Sequence, residues 1–267
     1  MLNICICQLI KDEQRYIEEW IDYYLNLGIS KFVLFEDWNS SSHADVLSKY
    51  GDKVILHKLY DIATEEEIKS MIKLRQEIVW KCFYRLYKYK FDACLFIDPD
   101  EFLECNKEQF IGEIENLINN TNIKVLRYTW QCITASGYIK DPAPNRKYSV
   151  VNTYNKVYEN SKSELNSNCK CLIILDRSDE STFNHIPHGP YEYDWVHYSN
   201  FRLRHYLTKS WDEYKWRLYV KGEQTNSDFD RKIEHFFKIN EDLLPYKEQL
   251  LKECEGLEYK YNDYIKC

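Results

Sequence analysis

The chain has 267 residues, of which 44% are hydrophobic and 30% are charged, a mixture that excludes a disordered tail and allows a sizeable core. Acidic residues outnumber basic residues by 43 to 36, giving a net charge of −7. This charge excludes a broad nucleic-acid-binding face, because neutralising phosphates requires a basic surface. We therefore expect no nucleic-acid partner, although a small basic pocket for a phosphate ligand is still allowed.

The first third of the chain alternates strand-like and helix-like segments. Gly28 stands where the first helix should end, and Thr64 with Glu67 forms the sequence pattern of a capping box. The predicted elements of this part are strands at 2–10, 31–35 and 54–59 and helices at 16–27, 44–50 and 64–89.

The middle of the chain continues the alternation, and the last part is helical. Residues 93–97 are continuously apolar, which predicts a central strand covered on both faces. The later predicted elements are a helix at 110–118, strands at 125–130 and 170–175, and helices from residue 209 onward. This order predicts an α/β fold with a mainly parallel sheet and helices on both faces. We expect a catalytic domain at 1–208 and a helical C-terminal extension at 209–267.

Cysteine usage and the absence of long apolar segments bear on the cellular compartment. The chain has ten cysteines, but it is long enough to fold around a core without a disulfide scaffold. Cys5 and Cys7, like Cys169 and Cys171, fit buried thiols on one face of a strand better than a metal site. No signal peptide and no apolar run of about 20 residues is present, so we expect a cytoplasmic protein with reduced thiols.

An acidic triplet follows the predicted central strand. Asp98, Pro99 and Asp100 come directly after the apolar run. Open α/β sheets bind ligands beyond the carboxyl ends of their strands. Two carboxylates one residue apart at such a place make a hard oxygen site for Mg²⁺ or Mn²⁺, which would in turn hold a diphosphate. The alternative interpretation is a solvated turn.

Several ordered segments between residue 10 and about residue 222 carry a family resemblance. They are Ile10–Glu13, Tyr16–Trp20, Leu27–Ile29, Phe35–Ser41, Arg75–Gln76, Phe96–Leu103 and Arg204–Trp211. Together they resemble motifs of the GT-A-fold glycosyltransferases, in particular family 92 (domain of unknown function 23) and related family 2-like bacterial enzymes. Two positions depart from the family pattern: Pro99 replaces an aliphatic residue, and Arg204 replaces an asparagine.

The resemblance implies a GT-A fold, a divalent cation and a UDP-sugar donor. It implies that the metal ligands are Asp98, Asp100 and His205. It implies a nucleotide-sugar-binding set that consists of Lys11, Glu13, Asp37, Arg75, Gln76, Asp98 and Lys209. Four of these roles have a structural alternative: turn capping for Asp37, exposed salt bridges for Lys11 and Arg75, and a buried structural histidine at position 205.

An inverting glycosyl transfer also requires a carboxylate that takes the proton of the acceptor hydroxyl. The sequence does not single out this base. Asp194 and Asp141 are the candidates, and Glu101 is a third whose alternative role is to hold its own loop.

The leading hypothesis is a metal-dependent, inverting hexosyltransferase that moves galactose or glucose from a UDP-sugar to a glycan or lipid-linked saccharide. Such an enzyme would build surface polysaccharide, either capsule or lipopolysaccharide. A nucleotidyltransferase and a non-catalytic carbohydrate-binding module are the alternatives. The helical, aromatic and basic residues 215–221 also predict peripheral association with the inner face of the membrane, with a solvated helix as the alternative.

Overall fold

The computed structural model describes residues 2–37, 40–70, 75–143, 149–159, 164–179, 182, 193–222 and 233–258. The chain divides into two compact units. The first contains residues 1–130 and 162–204, and the second contains residues 131–161 and 205–267. This division differs from the expected one at residue 208, because residues 131–161 group with the C-terminal residues.

Eight strands form one sheet. Their bounds are β1 Ile4–Ile10, β2 Lys31–Glu36, β3 Val54–Lys58, β4 Ala93–Phe96, β5 Glu101–Leu103, β6 Val125–Cys132, β7 Cys169–Ile174 and β8 Val196–His205. The strand order is β3-β2-β1-β4-β7-β6-β8-β5.

The described helices are mostly short. The α-helices are α1 Ile17–Leu27, α2 Ala44–Leu47, α3 Leu59–Ile62, α4 Glu65–Ser70, α5 Arg75–Tyr87, α6 Lys107–Asn120, α7 Val150–Thr153, α8 Trp211–Trp216, α9 Ile233–Ile239 and α10 Lys247–Lys252. 3₁₀ segments lie at Ser48–Lys53, Glu164–Ser167, Leu175–Arg177 and Glu241–Tyr246, and Arg217–Lys221 forms a π-helical turn.

Strand direction decides which residues meet at the edge of the sheet. β1 pairs in parallel with β2 and β4, and β2 pairs in parallel with β3, whereas β7 runs antiparallel to β4 and β6. Parallel strands end at the same edge, and an antiparallel neighbour begins there. We call this side the carboxyl edge; it holds the residues that follow Ile10, Glu36 and Phe96, together with the start of β7.

Both faces of the parallel half of the sheet are covered, as the apolar run at 93–97 predicts. On one face, Cys5, Cys7 and Val33 pack against α5 within one buried cluster. On the other face, Phe32 lies against Trp20 of α1, with ring centroids 5.5 Å apart. Neighbouring residues of a strand point to opposite faces, so these strands carry apolar residues throughout.

The second unit has its own core. Trp211 and Tyr214 of α8 pack on Phe236 of α9, with ring centroids 5.1 and 5.2 Å from the Phe236 ring. The buried side chain of Asn240 accepts a hydrogen bond from the backbone N–H of Ala135 at 2.5 Å. This bond ties the segment before α7 to the C-terminal helices of the same unit.

Most local predictions agree with the structure. The α/β class and the helices after residue 209 are confirmed, and the described cysteines are free thiols. The helix expected over 64–89 appears as α4 and α5, and residues 71–74 between them lie outside the described residues. Within the described ranges, no helix is both long enough and apolar enough to cross a membrane.

Candidate active site

The carboxylate of Asp98 is held at the carboxyl edge by three donors. Its Oδ1 accepts hydrogen bonds from the side-chain amides of Gln8 at 2.5 Å and Gln76 at 3.2 Å. Its Oδ2 accepts a hydrogen bond from the Lys170 ammonium at 2.8 Å. β1, α5 and β7 thus contribute one donor each, and together they fix the orientation of the carboxylate.

Glu101 closes the turn that carries Asp98 and Asp100. The backbone N–H of Asp98 donates to Glu101 Oε2 at 2.8 Å, and the backbone N–H of Glu101 donates to the Asp98 carbonyl at 3.0 Å. Glu101 is fully buried, and burial raises the pKa of its carboxyl group well above the ordinary value. Lys170 opposes this rise, and the two aspartates add to it. The geometry therefore favours the role of holding the turn over that of a base.

Lys170 is a site residue that the sequence reasoning missed. Its Nζ lies 2.8 Å from Asp98 Oδ2 and 3.9 Å from Glu101 Oε1. Burial alone lowers the pKa of this ammonium group, but the facing carboxylates outweigh that effect and raise the pKa. A lysine inside a strand of buried cysteines and aliphatic residues was the available signal, because a buried lysine requires an anionic partner.

Asp37 and Arg75, both predicted to bind the nucleotide, form a buried ion pair with each other. Asp37 follows β2, and its backbone N–H donates to the carbonyl of Ile10 at 2.9 Å. The two side chains are 0% and 4% exposed, so this pair is not an exposed salt bridge. Lys11, the residue after Ile10, is also buried. The end of β2 and the start of α5 thus place an acidic and a basic side chain next to each other, and a second basic residue follows β1.

The loops after β1 and β2 are tied together by hydrogen bonds that include a buried histidine. The backbone N–H groups of Asp12 and Glu13 donate to Ser40 Oγ and His43 Nε2, each at 3.0 Å. Since His43 Nε2 accepts a hydrogen bond, the ring proton lies on Nδ1, which donates to Glu36 Oε1 at 2.8 Å. Glu13 is thereby positioned by its backbone, and the sequence reasoning missed His43.

The second unit contains three other predicted site residues. His205 ends β8 and is fully buried, and its carbonyl accepts a hydrogen bond from Ile133 at 2.9 Å. Lys209 has a positive φ of 51°, which is an uncommon conformation for a residue with a side chain. The carboxylate of Asp141 accepts the backbone N–H of Ala143 at 2.9 Å. The roles of these three residues stay predictions.

Asp194 lies in the first unit, and the structure does not bring it to Asp98. It directly precedes Trp195, whose carbonyl accepts hydrogen bonds from the backbone N–H groups of Lys124 and Val125 at 2.8 and 3.1 Å. Val125 begins β6, which is antiparallel to β7 and therefore runs parallel to β4. Asp194 is exposed at the amino end of these strands, whereas Asp98 follows the carboxyl end of β4.

The chemistry of the acidic turn fits a divalent cation whose coordination is completed by the substrate. Within the described residues, no group of three or more His, Cys, Asp or Glu side chains is arranged to hold a metal ion. Mg²⁺ is usually bound through one or two carboxylates, with substrate phosphates and water filling the remaining positions. Asp98 and Asp100 supply two carboxylates, and Asp98 is already engaged by Lys170.

A comparison with models of protein families shows which family the chain belongs to. The model of glycosyltransferase family 92 matches residues 1–243. The chain belongs to glycosyltransferase family 92. Membership in family 92 confirms the resemblance that the sequence motifs carry. No curated protein sequence matches this family 92 chain.

Solved structures show only distant similarity to this family 92 chain. Residues 1–349 of TarS from S. aureus in complex with UDP align with 15% identity and a TM-score of 0.36, covering 52% of this chain and 38% of that chain. Glucosyl-3-phosphoglycerate synthase from Mycobacterium tuberculosis, in complex with Mn²⁺, UDP and glucosyl-3-phosphoglycerate, aligns with 13% identity and a TM-score of 0.34, covering 49% and 44%. The chain spans less than half of the length of these structures.

Proposed function

We propose that this family 92 chain is a metal-dependent hexosyltransferase that moves galactose or glucose from a UDP-sugar to a glycan or lipid-linked saccharide. We further propose that the reaction inverts the anomeric configuration and serves surface polysaccharide synthesis at the inner face of the membrane. The observation that carries the proposal is the buried charge cluster at the carboxyl edge. Asp98 with Lys170 and Asp37 with Arg75 place two ion pairs there, where open α/β sheets bind their ligands.

The uridine and diphosphate parts of a UDP-sugar have suitable groups at this edge. The Asp37 carboxylate, oriented by Arg75, can accept hydrogen bonds from uracil or ribose, and Lys11 supplies positive charge for the diphosphate. Asp100, with Asp98, would hold the Mn²⁺ or Mg²⁺ ion. When bound, that cation supplies Lewis-acid neutralisation of the charge that develops on the departing diphosphate.

The remaining predicted residues have proposed roles in the reaction as well. We propose that His205 is a further metal ligand and that Lys209 binds the diphosphate as a point charge. A carboxylate base must also take the proton of the acceptor hydroxyl. Asp141 is our candidate, because Glu101 is buried within its turn and Asp194 lies at the amino end of β6.

UDP release tests the proposal. We expect the protein to release UDP from UDP-glucose or UDP-galactose when a saccharide acceptor and Mn²⁺ are present, and not after chelation with EDTA. The D100A variant should lose turnover about 10²–10³-fold, the size of effect seen when one charge-stabilising group is removed from an active site. Its matched control is D52A, because Asp52 is an exposed aspartate before β3, away from the carboxyl edge.

The outcomes separate the proposal from its alternatives. Retained full activity in D100A would reject the role of Asp100. Pyrophosphate release from a nucleoside triphosphate, without UDP release from any UDP-sugar, would indicate a nucleotidyltransferase. Saccharide binding with neither UDP binding nor UDP release would indicate a binding module.

A further inference from the structure

Lys170 donates a hydrogen bond to a carboxylate of the acidic turn, and the nucleotide site proposed above gives it no role. It sits between two cysteines in β7, and its side chain is 12% exposed. It comes to the turn because β7 is the antiparallel neighbour of β4, with Cys171 opposite Phe96. The pairing of these two strands therefore places a positive charge beside Asp98 and Asp100, the half-buried carboxylates proposed to bind a cation.

The hydrogen bonds of Asp98 show what this charge does to the turn. Gln8 and Gln76 both donate to Oδ1, and Lys170 donates to Oδ2. Each oxygen of Asp98 thus already has a partner from the protein itself. A divalent cation that approached Asp98 would have to displace the ammonium group or bind beside it, and two cations at one carboxylate repel each other.

We propose that Lys170 is a positioning residue that occupies Asp98 and keeps the turn from binding a divalent cation tightly until a nucleoside diphosphate is present. This inference rests on the proposed function, because it concerns the same donor site. A diphosphate brings negative charge and phosphate oxygens, which offset the ammonium charge and complete the coordination. By linkage, the nucleotide must then strengthen cation binding by the same factor by which the cation strengthens nucleotide binding.

The experiment measures Mn²⁺ affinity directly, from the signal of free Mn²⁺ in electron paramagnetic resonance, with no acceptor and no turnover. Without nucleotide, K170M should bind Mn²⁺ about tenfold more tightly than the wild type, the scale of one partly screened charge interaction. K170R keeps the charge and should bind like the wild type. K31M is the matched control, because it removes one lysine charge from the exposed Lys31–Asp52 pair, away from the carboxyl edge.

A second arm uses the wild-type protein alone, so the proposal stays testable even if K170M does not fold. Saturating UDP should tighten Mn²⁺ binding to the protein about tenfold or more, after subtraction of the Mn²⁺ that the same UDP concentration binds without protein. Equal Mn²⁺ affinity with and without UDP would overturn the proposal, and so would a K170M variant that binds Mn²⁺ no more tightly than the wild type and K31M. If the wild type binds no UDP at all, the proposed function fails instead, and the nucleotide-free comparison of K170M with K31M decides whether Lys170 limits cation binding.

Discussion

Buried and half-buried carboxylates have different partners in the two units. At the carboxyl edge of the first unit, Asp37 contacts Arg75 and Asp98 contacts Lys170, so each carboxylate faces a cation. In the second unit, Glu213 Oε2 accepts hydrogen bonds from hydroxyl groups, those of Tyr154 at 2.5 Å and Ser210 at 3.0 Å. The first arrangement keeps full charges where a charged ligand can interact with them, and the second uses a carboxylate to fix the backbone.

The Glu213 carboxylate fixes the start of α8. Ser210 and Glu213 form a capping box at the start of α8, and Ser210 also donates its backbone N–H to the Tyr154 hydroxyl at 3.1 Å. The residue immediately before this box is Lys209, which has a positive φ of 51°. Such a conformation is strained for lysine and persists only where the surroundings determine it. The Glu213 carboxylate therefore fixes the backbone that follows Lys209, whereas Asp37 and Asp98 at the carboxyl edge face cations.

The largest effect should come from breaking a charge-paired carboxylate. In R75M, Asp37 stays buried without its cation, and loss of one partner of a buried pair costs about 3–5 kcal/mol. The free energy of unfolding from urea titration measures this cost. R85M is the matched control: Arg85 lies on the same helix, is 44% exposed and contacts Glu67 at 3.1 Å. Loss of that exposed pair should cost about 1 kcal/mol or less. Equal losses in the two variants would contradict the distinction.

A smaller effect should follow from removing a hydroxyl that serves Glu213. In Y154F, the carboxylate loses one donor and the Ser210 N–H loses one acceptor, and both groups are buried. Each group keeps one partner, since the Ser210 hydroxyl and N–H both donate to Glu213 Oε2 at 3.0 and 3.4 Å, so the loss should be about 1–3 kcal/mol in total. Thermal unfolding measures it.

The control for this substitution lies next to it. Tyr138 is 39% exposed, and its ring packs edge-on against Tyr154 with centroids 5.7 Å apart. Y138F makes the same chemical change at a solvent-exposed hydroxyl and should alter stability by about 0.5 kcal/mol or less. If Y154F were as mild as Y138F, the hydroxyl-bound carboxylate would not be fixing this segment.

The sequence predicted well those features that depend on neighbouring residues. Gly28 ends α1 with a φ of 107°, and the Thr64–Glu67 capping box is present, with hydrogen bonds of 2.7 and 3.2 Å. The acidic turn also lies directly after β4, as the buried apolar run indicated. Such features follow from local periodicity, capping and turn chemistry, so a single sequence contains them.

Features that depend on strand pairing were not predictable in the same way. Lys170 reaches Asp98 across 72 residues of sequence, and this contact exists only because β7 pairs with β4 in one register. β8 was missed for a related reason: its first residues are exposed or half-buried, and its composition of His, Tyr, Ser and Asn does not show an apolar pattern. The sequence therefore located the carboxylates of the site but not the cation that holds one of them.

The smallest expected effect concerns a partly buried carboxylate that accepts a hydroxyl hydrogen bond in the first unit. Glu113 Oε1 accepts a hydrogen bond from Ser199 at 2.7 Å, and burial raises the pKa of Glu113 above its ordinary value. The folded state then holds this proton more tightly than the unfolded state, whose glutamates have a pKa of about 4.3. The contribution of Glu113 to stability is therefore complete below that pH and is lost as the pH rises through the raised folded-state value.

The E113Q variant tests this pH dependence, because glutamine is neutral at every pH. Relative to the wild type, E113Q should gain stability between pH 4 and pH 7, by about 1 kcal/mol or less after allowance for solvent screening. Melting temperatures at several pH values measure the difference. E115Q changes an exposed glutamate of the same helix, and its curve should stay parallel to that of the wild type. If the E113Q curve were also parallel to that of the wild type, the hydrogen bond from Ser199 would cancel the effect of burial on the Glu113 pKa. The contrast between hydroxyl-bound carboxylates and cation-paired aspartates would then depend on Glu213 alone.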